Sequence, residues 1–214
     1  MKMRIMTILL LVFVLAGADR VRADLIVNGD FSSGGTGFST TYTYTNTSSV
    51  NLTGAQTYTI INDPLNAHVA FSSYGDHTTG DGPMMVVNGA VNSGVTVWSE
   101  TVSVSQNVDY TFTAWVSSCY PLNPANLNFL INNVSIGTMN APPVTGIWDD
   151  FVGIWDSGSA TSATIKIVDL STANDGNDFA LDDISFTPEP ASLLLVCVAT
   201  PFVLKRRKLT NGRR

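Results

Sequence analysis

Short runs of alternating apolar and polar residues fill the chain between Leu25 and Phe186. Thr, Val, Ile and aromatic residues recur in these runs, and clusters of Gly, Asn, Asp and Pro separate one run from the next. No stretch of about ten or more residues has the apolar spacing of an amphipathic helix. The pattern predicts an all-β domain of about ten short strands, arranged as a β-sandwich or jelly roll.

The alternation also indicates which residues form the core. In one predicted strand Tyr110, Phe112, Ala114 and Val116 share a face that should be buried, and Trp115 lies on the opposite, Thr-rich face. On that face Trp115 either packs under a loop or offers a stacking surface. The predicted strands are Leu25 to Asn28, Thr41 to Asn46, Gln56 to Ile61, His68 to Ser72, Met84 to Val87, Val95 to Val104, Asp109 to Ser117, Asn126 to Ile131, Trp148 to Trp155, Ala163 to Val168 and Phe179 to Phe186.

The first 23 residues have the order of a secretory signal peptide. Two basic residues precede an apolar run from Ile5 to Ala16, and small residues follow it. We expect cleavage after Ala23, with Ala18 as the alternative. A retained membrane helix is the competing interpretation, but the run is short of the ~20 residues that a span needs.

The C-terminal tail, residues 188–214, combines a Pro-Glu-Pro motif, an apolar run from Ala191 to Leu204 and a basic cluster. We expect the last strand to end at Phe186, because the prolines that follow lack the N–H groups that a ladder uses. Residues 24–187 are therefore predicted to be one β domain. The motif and cluster residues are Pro188, Glu189, Pro190, Lys205, Arg206, Arg207 and Lys208.

This tail resembles a PEP-CTERM sorting signal, which is also labelled the ice-binding protein C-terminal domain. The basic cluster would stay cytoplasmic while the β domain lies outside. The resemblance implies an exosortase-type membrane protease as partner, transient anchoring in the inner membrane, and delivery to the cell surface or to an exopolysaccharide-containing extracellular matrix. An ordinary C-terminal anchor is the alternative.

Charge is distributed very unevenly along the chain. Residues 24–187 carry 15 acidic residues and one basic residue, Lys166, a net charge of −14, although the whole chain has a net charge of −6. Such a field repels nucleic acid and anionic lipid. Cys119 is the one cysteine of this domain, so no internal disulfide can form.

The two ends of the β domain resemble those of galactose-binding-like β-sandwiches, the fold of many carbohydrate-binding modules. The segments that carry the resemblance are Leu25 to Phe31 and Asp178 to Phe186. In this fold a structural calcium ion often joins the first loop to the last strand, which implies Asn28, Asp30, Asp182 and Asp183 as ligands here. Ser32 stands where such modules often have an acidic ligand. The alternative is that the two aspartates solvate a strand edge and cap a turn.

The aromatic residues of the sequence, and the catalytic motifs that it lacks, indicate the function. Trp115 and Tyr44 are the candidate exposed aromatics for stacking on a sugar ring. We find no nucleophile elbow, and no opposed carboxylate pair can be singled out, so we expect that the domain is not an enzyme. The sequence favours an exported protein that binds polysaccharide, and the alternative is a structural or adhesive surface protein without a small ligand.

Overall fold

Two β-sheets pack face to face in the computed structural model, which describes residues 23–46 and 52–189. One sheet has six strands in the order β1-β2-β3-β10-β5-β8, and the other has four in the order β4-β9-β6-β7. This architecture confirms the predicted all-β sandwich. The elements are β1 (Thr43–Tyr44), β2 (Thr57–Ile61), α1 (Pro64–Ala67), β3 (Met84–Asn88), β4 (Val95–Ser103), β5 (Asp109–Ser118), β6 (Asn126–Ile131), β7 (Val134–Asn140), β8 (Asp149–Asp156), β9 (Ser162–Asp169) and β10 (Phe179–Pro188).

The core between the sheets is rich in phenylalanine. Phe129 of β6 stacks on Phe151 of β8 with ring centroids 3.7 Å apart, and Phe112 of β5 contacts both rings edge-on. The alternation predicted for β5 is confirmed, because Tyr110 and Val116 are buried in this core while Trp115 faces the other way.

A second, smaller hydrophobic layer covers the outer face of β3 and β10. It is formed by Leu52, Ala67, Phe71, Met84, Val86, Cys119 and Ala180. Helix α1 belongs to this layer, and the Asp63 side chain caps its start by accepting the N–H of Leu65. Burial raises the pKa of the Cys119 thiol well above its usual range, which keeps the thiol protonated and unreactive.

The N-terminal segment runs beside the end of β10, but not as a strand. The N–H of Leu25 donates to the Phe186 carbonyl over 3.1 Å, and the N–H of Ile184 donates to the Gly29 carbonyl over 3.0 Å. Turns interrupt the segment because Asn28 has a φ of 62°. The predicted strand Leu25 to Asn28 is therefore wrong.

One further strand prediction is wrong, and one strand was not predicted. His68 to Ser72 forms a turn after α1, in which the Phe71 N–H donates to the His68 carbonyl. Strand β7 was not predicted, because most of its residues are exposed and it lacks a clear apolar face. Asn132 and Asn133 join it to β6 with φ values of 52° and 65°, as in a two-residue type I′ hairpin turn.

The last strand continues through Pro188, so the predicted end at Phe186 is wrong. Pro188 lies opposite Tyr110 in the ladder with β5, and the N–H of Glu189 donates to the Asp109 carbonyl over 2.7 Å. A proline fits here because the ladder continues through the N–H of the next residue. In residues 23–46 and 52–189, no helix has the length and hydropathy of a membrane span.

Candidate functional site

A cleft of about 340 Å³ lies at the end of the six-stranded sheet where β3 and β5 end and β10 begins. We call it the Asp178 cleft. Its wall combines carboxyl, amide, imidazole and aromatic groups from four separate segments of chain. The residues that define it chemically are His68, Phe71, Asn88, Tyr120, Asp175 and Asp178.

Asp178 is the most unusual group in this cleft. The residue is 7% exposed, and among the described residues its side chain accepts one hydrogen bond, from the Gly89 N–H over 3.3 Å. Burial raises the pKa of Asp178 to about 7, and the negative charges of Asp175 and Asp169 add to the rise, whereas the Gly89 hydrogen bond opposes it. Near neutral pH this carboxyl group can therefore be either a proton donor or an acceptor.

A buried polar network holds the loop that carries Asp178. The Asp169 Oδ2 atom accepts hydrogen bonds from the Tyr42 hydroxyl (2.9 Å), the Ala90 N–H (3.1 Å) and the Asn177 Nδ2 atom (2.8 Å). A Cβ atom at Gly89 would lie 2.0 Å from the Asn177 carbonyl oxygen, so only glycine permits this approach. The network fixes the backbone on both sides of the cleft.

Three aromatic side chains, those of His68, Phe71 and Tyr120, also line the cleft. The rings of His68 and Phe71 lie 4.8 Å apart, and Tyr120 follows directly after the Cys119 of the outer layer. The His68 Nδ1 atom accepts the N–H of Ala70 over 3.2 Å, which orients the imidazole ring. An apolar wall facing a few polar groups is the usual composition of a small-molecule site.

Sequence analysis did not single out this cleft. Its signal is the run Asn174-Asp175-Gly176-Asn177-Asp178, a loop of turn-forming and hydrogen-bonding residues directly before the last strand. The facing residues come from distant parts of the chain, so the alternation of strands cannot reveal that they meet.

The first two residues of the predicted calcium site bond within their own loop. The Asn28 Nδ2 atom donates to the Gly34 and Thr36 carbonyls, over 2.8 and 2.9 Å, and the Asp30 Oδ1 atom accepts the N–H of Ser32 over 3.2 Å. Asn28 and Asp30 line a second cleft of about 290 Å³ together with Asp24 and Asp183.

Asp182 and Asp183 instead hold a different loop. The Asp182 Oδ2 atom accepts the N–H groups of His77 (2.9 Å) and Thr78 (3.0 Å), and the Asp183 Oδ2 atom lies 2.6 Å from the His77 Nδ1 atom. Within the described part of the chain the Asp182 Oδ1 atom is buried and has no hydrogen-bond partner, and burial raises the pKa of this residue to about 6. Among the described residues, no three His, Cys, Asp or Glu side chains are grouped as metal ligands.

The two predicted stacking aromatics do not meet. The Trp115 ring stacks on His77 with centroids 3.7 Å apart, so one of its faces is covered. Tyr44 is 54% exposed and contacts Tyr58 edge-on at the β1 edge of the same sheet. β1 and β5 are four strands apart, which places the two rings about 19 Å apart across the sheet. They cannot form one small site.

Two residues of the sorting motif are described. Pro188 closes β10, and the Glu189 carboxylate accepts a hydrogen bond from the Thr111 hydroxyl. The signal peptide up to residue 22, Pro190, the apolar run and the basic cluster lie outside the described residues.

No protein-family model and no curated protein matches this chain. The fold does match solved structures. A cyclase from Fischerella sp. TAU, in complex with 4-(1H-indol-3-yl)butan-2-one, is 13% identical with a TM-score of 0.54, over 79% of this chain and 98% of the cyclase. TmCBM61, in complex with β-1,4-galactotriose, is 11% identical with a TM-score of 0.52, over 78% of this chain and 99% of that module.

A third match is the arabinose-bound α-L-arabinofuranosidase MgGH51, which is 12% identical with a TM-score of 0.51, over 78% of this chain and 26% of that enzyme. At such identities the likeness shows the fold. This chain is a β-sandwich similar to those of carbohydrate-binding modules.

The prediction that the domain is not an enzyme is corrected by the same comparison. The cyclase shares the fold over 98% of its own length, so a sandwich of this size is no argument against catalysis. Sequence reasoning excluded catalysis by looking for a nucleophile and for paired carboxylates. A single buried carboxyl group in a cleft, as at Asp178, meets neither criterion but is a common catalytic arrangement.

Proposed function

We propose that this β-sandwich binds polysaccharide, and that the Asp178 cleft is the binding site. The observation that carries the proposal is the composition of the cleft, which is lined by the half-buried aromatic Tyr120 and by Asp178, Asp175 and Asn88. Aromatic rings pack against the apolar faces of sugar rings, while carboxyl and amide groups bond sugar hydroxyls.

Charge supports an uncharged, hydroxyl-rich ligand over other classes. Of residues 23–46 and 52–189, only Lys166 is basic, and its Nζ atom donates to Asn133 on the four-stranded sheet. The described residues that line the cleft include no lysine or arginine, and such a cleft in so acidic a domain is a poor site for phosphate or nucleic acid. TmCBM61, which has the same type of fold, is in complex with a galactotriose.

Glycan-array binding with single-residue variants tests the proposal and locates the site. We expect saturable binding to at least one neutral polysaccharide, and we expect Tyr120→Ala to weaken it about tenfold or more through the loss of aromatic contact. Tyr44→Ala is the matched control, because Tyr44 is equally aromatic and is exposed on the edge strand β1, but does not line the cleft. Loss of binding in the Tyr44 or Trp115→Ala variant, with Tyr120→Ala unaffected, would move the site to that residue.

One observation favours a structural or adhesive role as the second candidate. Val152 and Ile154 are 55% and 66% exposed on β8, which is an edge strand of the six-stranded sheet. Exposed apolar side chains on an edge strand are a ready surface for association with another chain. Absence of glycan binding, together with self-association that Ile154→Lys abolishes, would favour this alternative.

We also propose that the protein is exported and that its tail is a PEP-CTERM sorting signal. The support is the order of motif, apolar run and basic cluster after Pro188, together with the signal peptide at the other end. Expression in a host with the exosortase and in a strain lacking it should give a mature form ending near Pro188 in the first host alone. Identical uncut protein in both membranes would make the tail an ordinary anchor.

Structural calcium remains a proposal that rests on the resemblance. Asn28, Asp30 and Asp183 line one cleft, whereas the Asp182 carboxylate bonds the loop at His77. The carboxyl groups of that cleft and the buried Asp182 Oδ1 atom are the features that suit a cation. If calcium binds there, the melting temperature should rise with added calcium and fall with a chelator, and Asp182→Asn should abolish the response. An unchanged melting curve would exclude calcium from this site.

A further inference from the structure

The proposed binding site contains a carboxyl group, that of Asp178, which has no cationic partner among the described residues. The charged and titratable groups around Asp178 are Asp175 of its own loop, Asp169 at the end of β9, Tyr42 before β1, His68 after α1, and Cys119 and Tyr120 at the end of β5. Among the described residues, none of these groups forms an ion pair with Asp178. The His68 Nδ1 atom accepts the Ala70 N–H, and no hydrogen bond joins His68 to Asp178.

Few hydrogen bonds would stabilise the negative charge of an ionised Asp178 carboxylate in this cleft. The Gly89 N–H contacts it over a long 3.3 Å, whereas the nearby Asp169 carboxylate accepts four hydrogen bonds of 2.8–3.1 Å. Asp178 and Asp169 are both buried, but the Asp169 carboxylate accepts more and shorter hydrogen bonds than the Asp178 carboxyl group does. The arrangement stabilises the protonated form of Asp178, and a ligand that displaces water from the cleft would favour that form further.

We propose that the cleft takes an uncharged saccharide, to one of whose oxygen atoms Asp178 donates a hydrogen bond as a neutral carboxylic acid. The inference rests on the proposed function and specifies its ligand class and its binding chemistry. A protonated carboxyl group supplies one O–H donor and keeps an acceptor oxygen, so it can bond two sugar oxygens at once. An anionic sugar would meet Asp175 and the net negative charge of the domain.

The proposal makes binding dependent on pH with a defined sign. Because burial raises the pKa of Asp178 to about 7, the donor is present at pH 6 and is lost as the pH rises through 7. Affinity coupled to one proton falls about tenfold per pH unit above that value. We therefore expect binding at pH 8.5 to be at least tenfold weaker than at pH 6.

Calorimetric titration of the domain with β-1,4-galactotriose, xylohexaose and oligogalacturonate, at pH values from 5.5 to 8.5, tests this inference. Asp178→Asn keeps a neutral donor and acceptor at every pH, so its affinity should not change with pH and should exceed that of the wild type at pH 8.5. Asp175→Asn should move the midpoint of the wild-type profile to lower pH, because one negative neighbour is removed. Asp109→Asn, an exposed change at the far end of β5, should leave the midpoint unchanged.

The outcomes separate this inference from the proposed function. Binding that Tyr120→Ala abolishes but that does not vary with pH would overturn the neutral-acid role of Asp178 and leave the glycan-binding function standing. Tighter binding of oligogalacturonate than of galactotriose would overturn the uncharged ligand class. No binding of any saccharide at any pH would overturn the proposed function and this inference together.

Discussion

Replacing Asp169 with alanine should lower the free energy of unfolding by about 3–5 kcal/mol, which is among the largest effects expected of a single substitution in this domain. Asp169 is fully buried, and its carboxylate accepts the Tyr42 hydroxyl, the Asn177 amide and the N–H groups of Ala90 and Ser171. Alanine would remove the acceptor that these donors share, and the Ala90 N–H would keep only its 3.2 Å contact with the Tyr42 hydroxyl. Urea unfolding followed by tryptophan fluorescence measures the change.

Asp109→Ala is the control for this substitution, because Asp109 is exposed at the start of β5, and its loss should change stability by less than about 0.5 kcal/mol. The loop that carries Asp178 is bonded to Asp169 through Asn177. The Asp169→Ala protein should therefore bind glycan more weakly even where it remains folded. Equal stability of the Asp169 and Asp109 variants would show that the polar network contributes little.

Stability should fall as the pH rises from about 4 to 7, and Asp178 should cause a large part of the fall. Its folded-state pKa of about 7 is raised above the usual 3.8, so the folded state binds this proton more tightly than the unfolded state does. The resulting stabilisation is fully present below the unfolded-state pKa and is lost as the pH rises through the folded-state value. A shift of this size corresponds to at most ~4 kcal/mol.

Asp178→Asn isolates this contribution from those of the other acidic residues. We expect the free energy of unfolding of the wild type to fall relative to that of the variant by about 2–4 kcal/mol between pH 4 and pH 7. Denaturant unfolding at four or five pH values gives both curves. Parallel curves over this range would mean that Asp178 ionises in the folded protein at an ordinary pH.

Strands with one buried face were predictable from the sequence. In β5 the buried Tyr110 and Phe112 alternate with half-buried Thr111 and Thr113, and the period of two follows from strand geometry alone. Strand β7 escaped prediction for the opposite reason, since it lies at a sheet edge with both faces largely exposed. Its one local signal is the Asn132-Asn133 turn.

The candidate site was harder to predict than the fold, for a physical reason. Alternation reports which face of a strand is buried, but the Asp178 cleft is built from strand ends and loops that meet only in three dimensions. His68 and Asp178 are 110 positions apart in the chain. His68 also belongs to a turn for which the sequence pattern predicts a strand. The aromatics chosen from the sequence, Trp115 and Tyr44, were selected for being on or near exposed faces, and neither lines the cleft.

Strand β10 separates the Asp178 cleft from the C-terminal end of the described domain. It begins at Phe179, next to the residue in the cleft, and ends at Pro188, where the tail begins. Ten residues of extended chain span about 30 Å. A domain attached through its tail would therefore hold the cleft at the end farthest from its attachment point, facing the surrounding medium, and removal of the tail would leave that end unaltered.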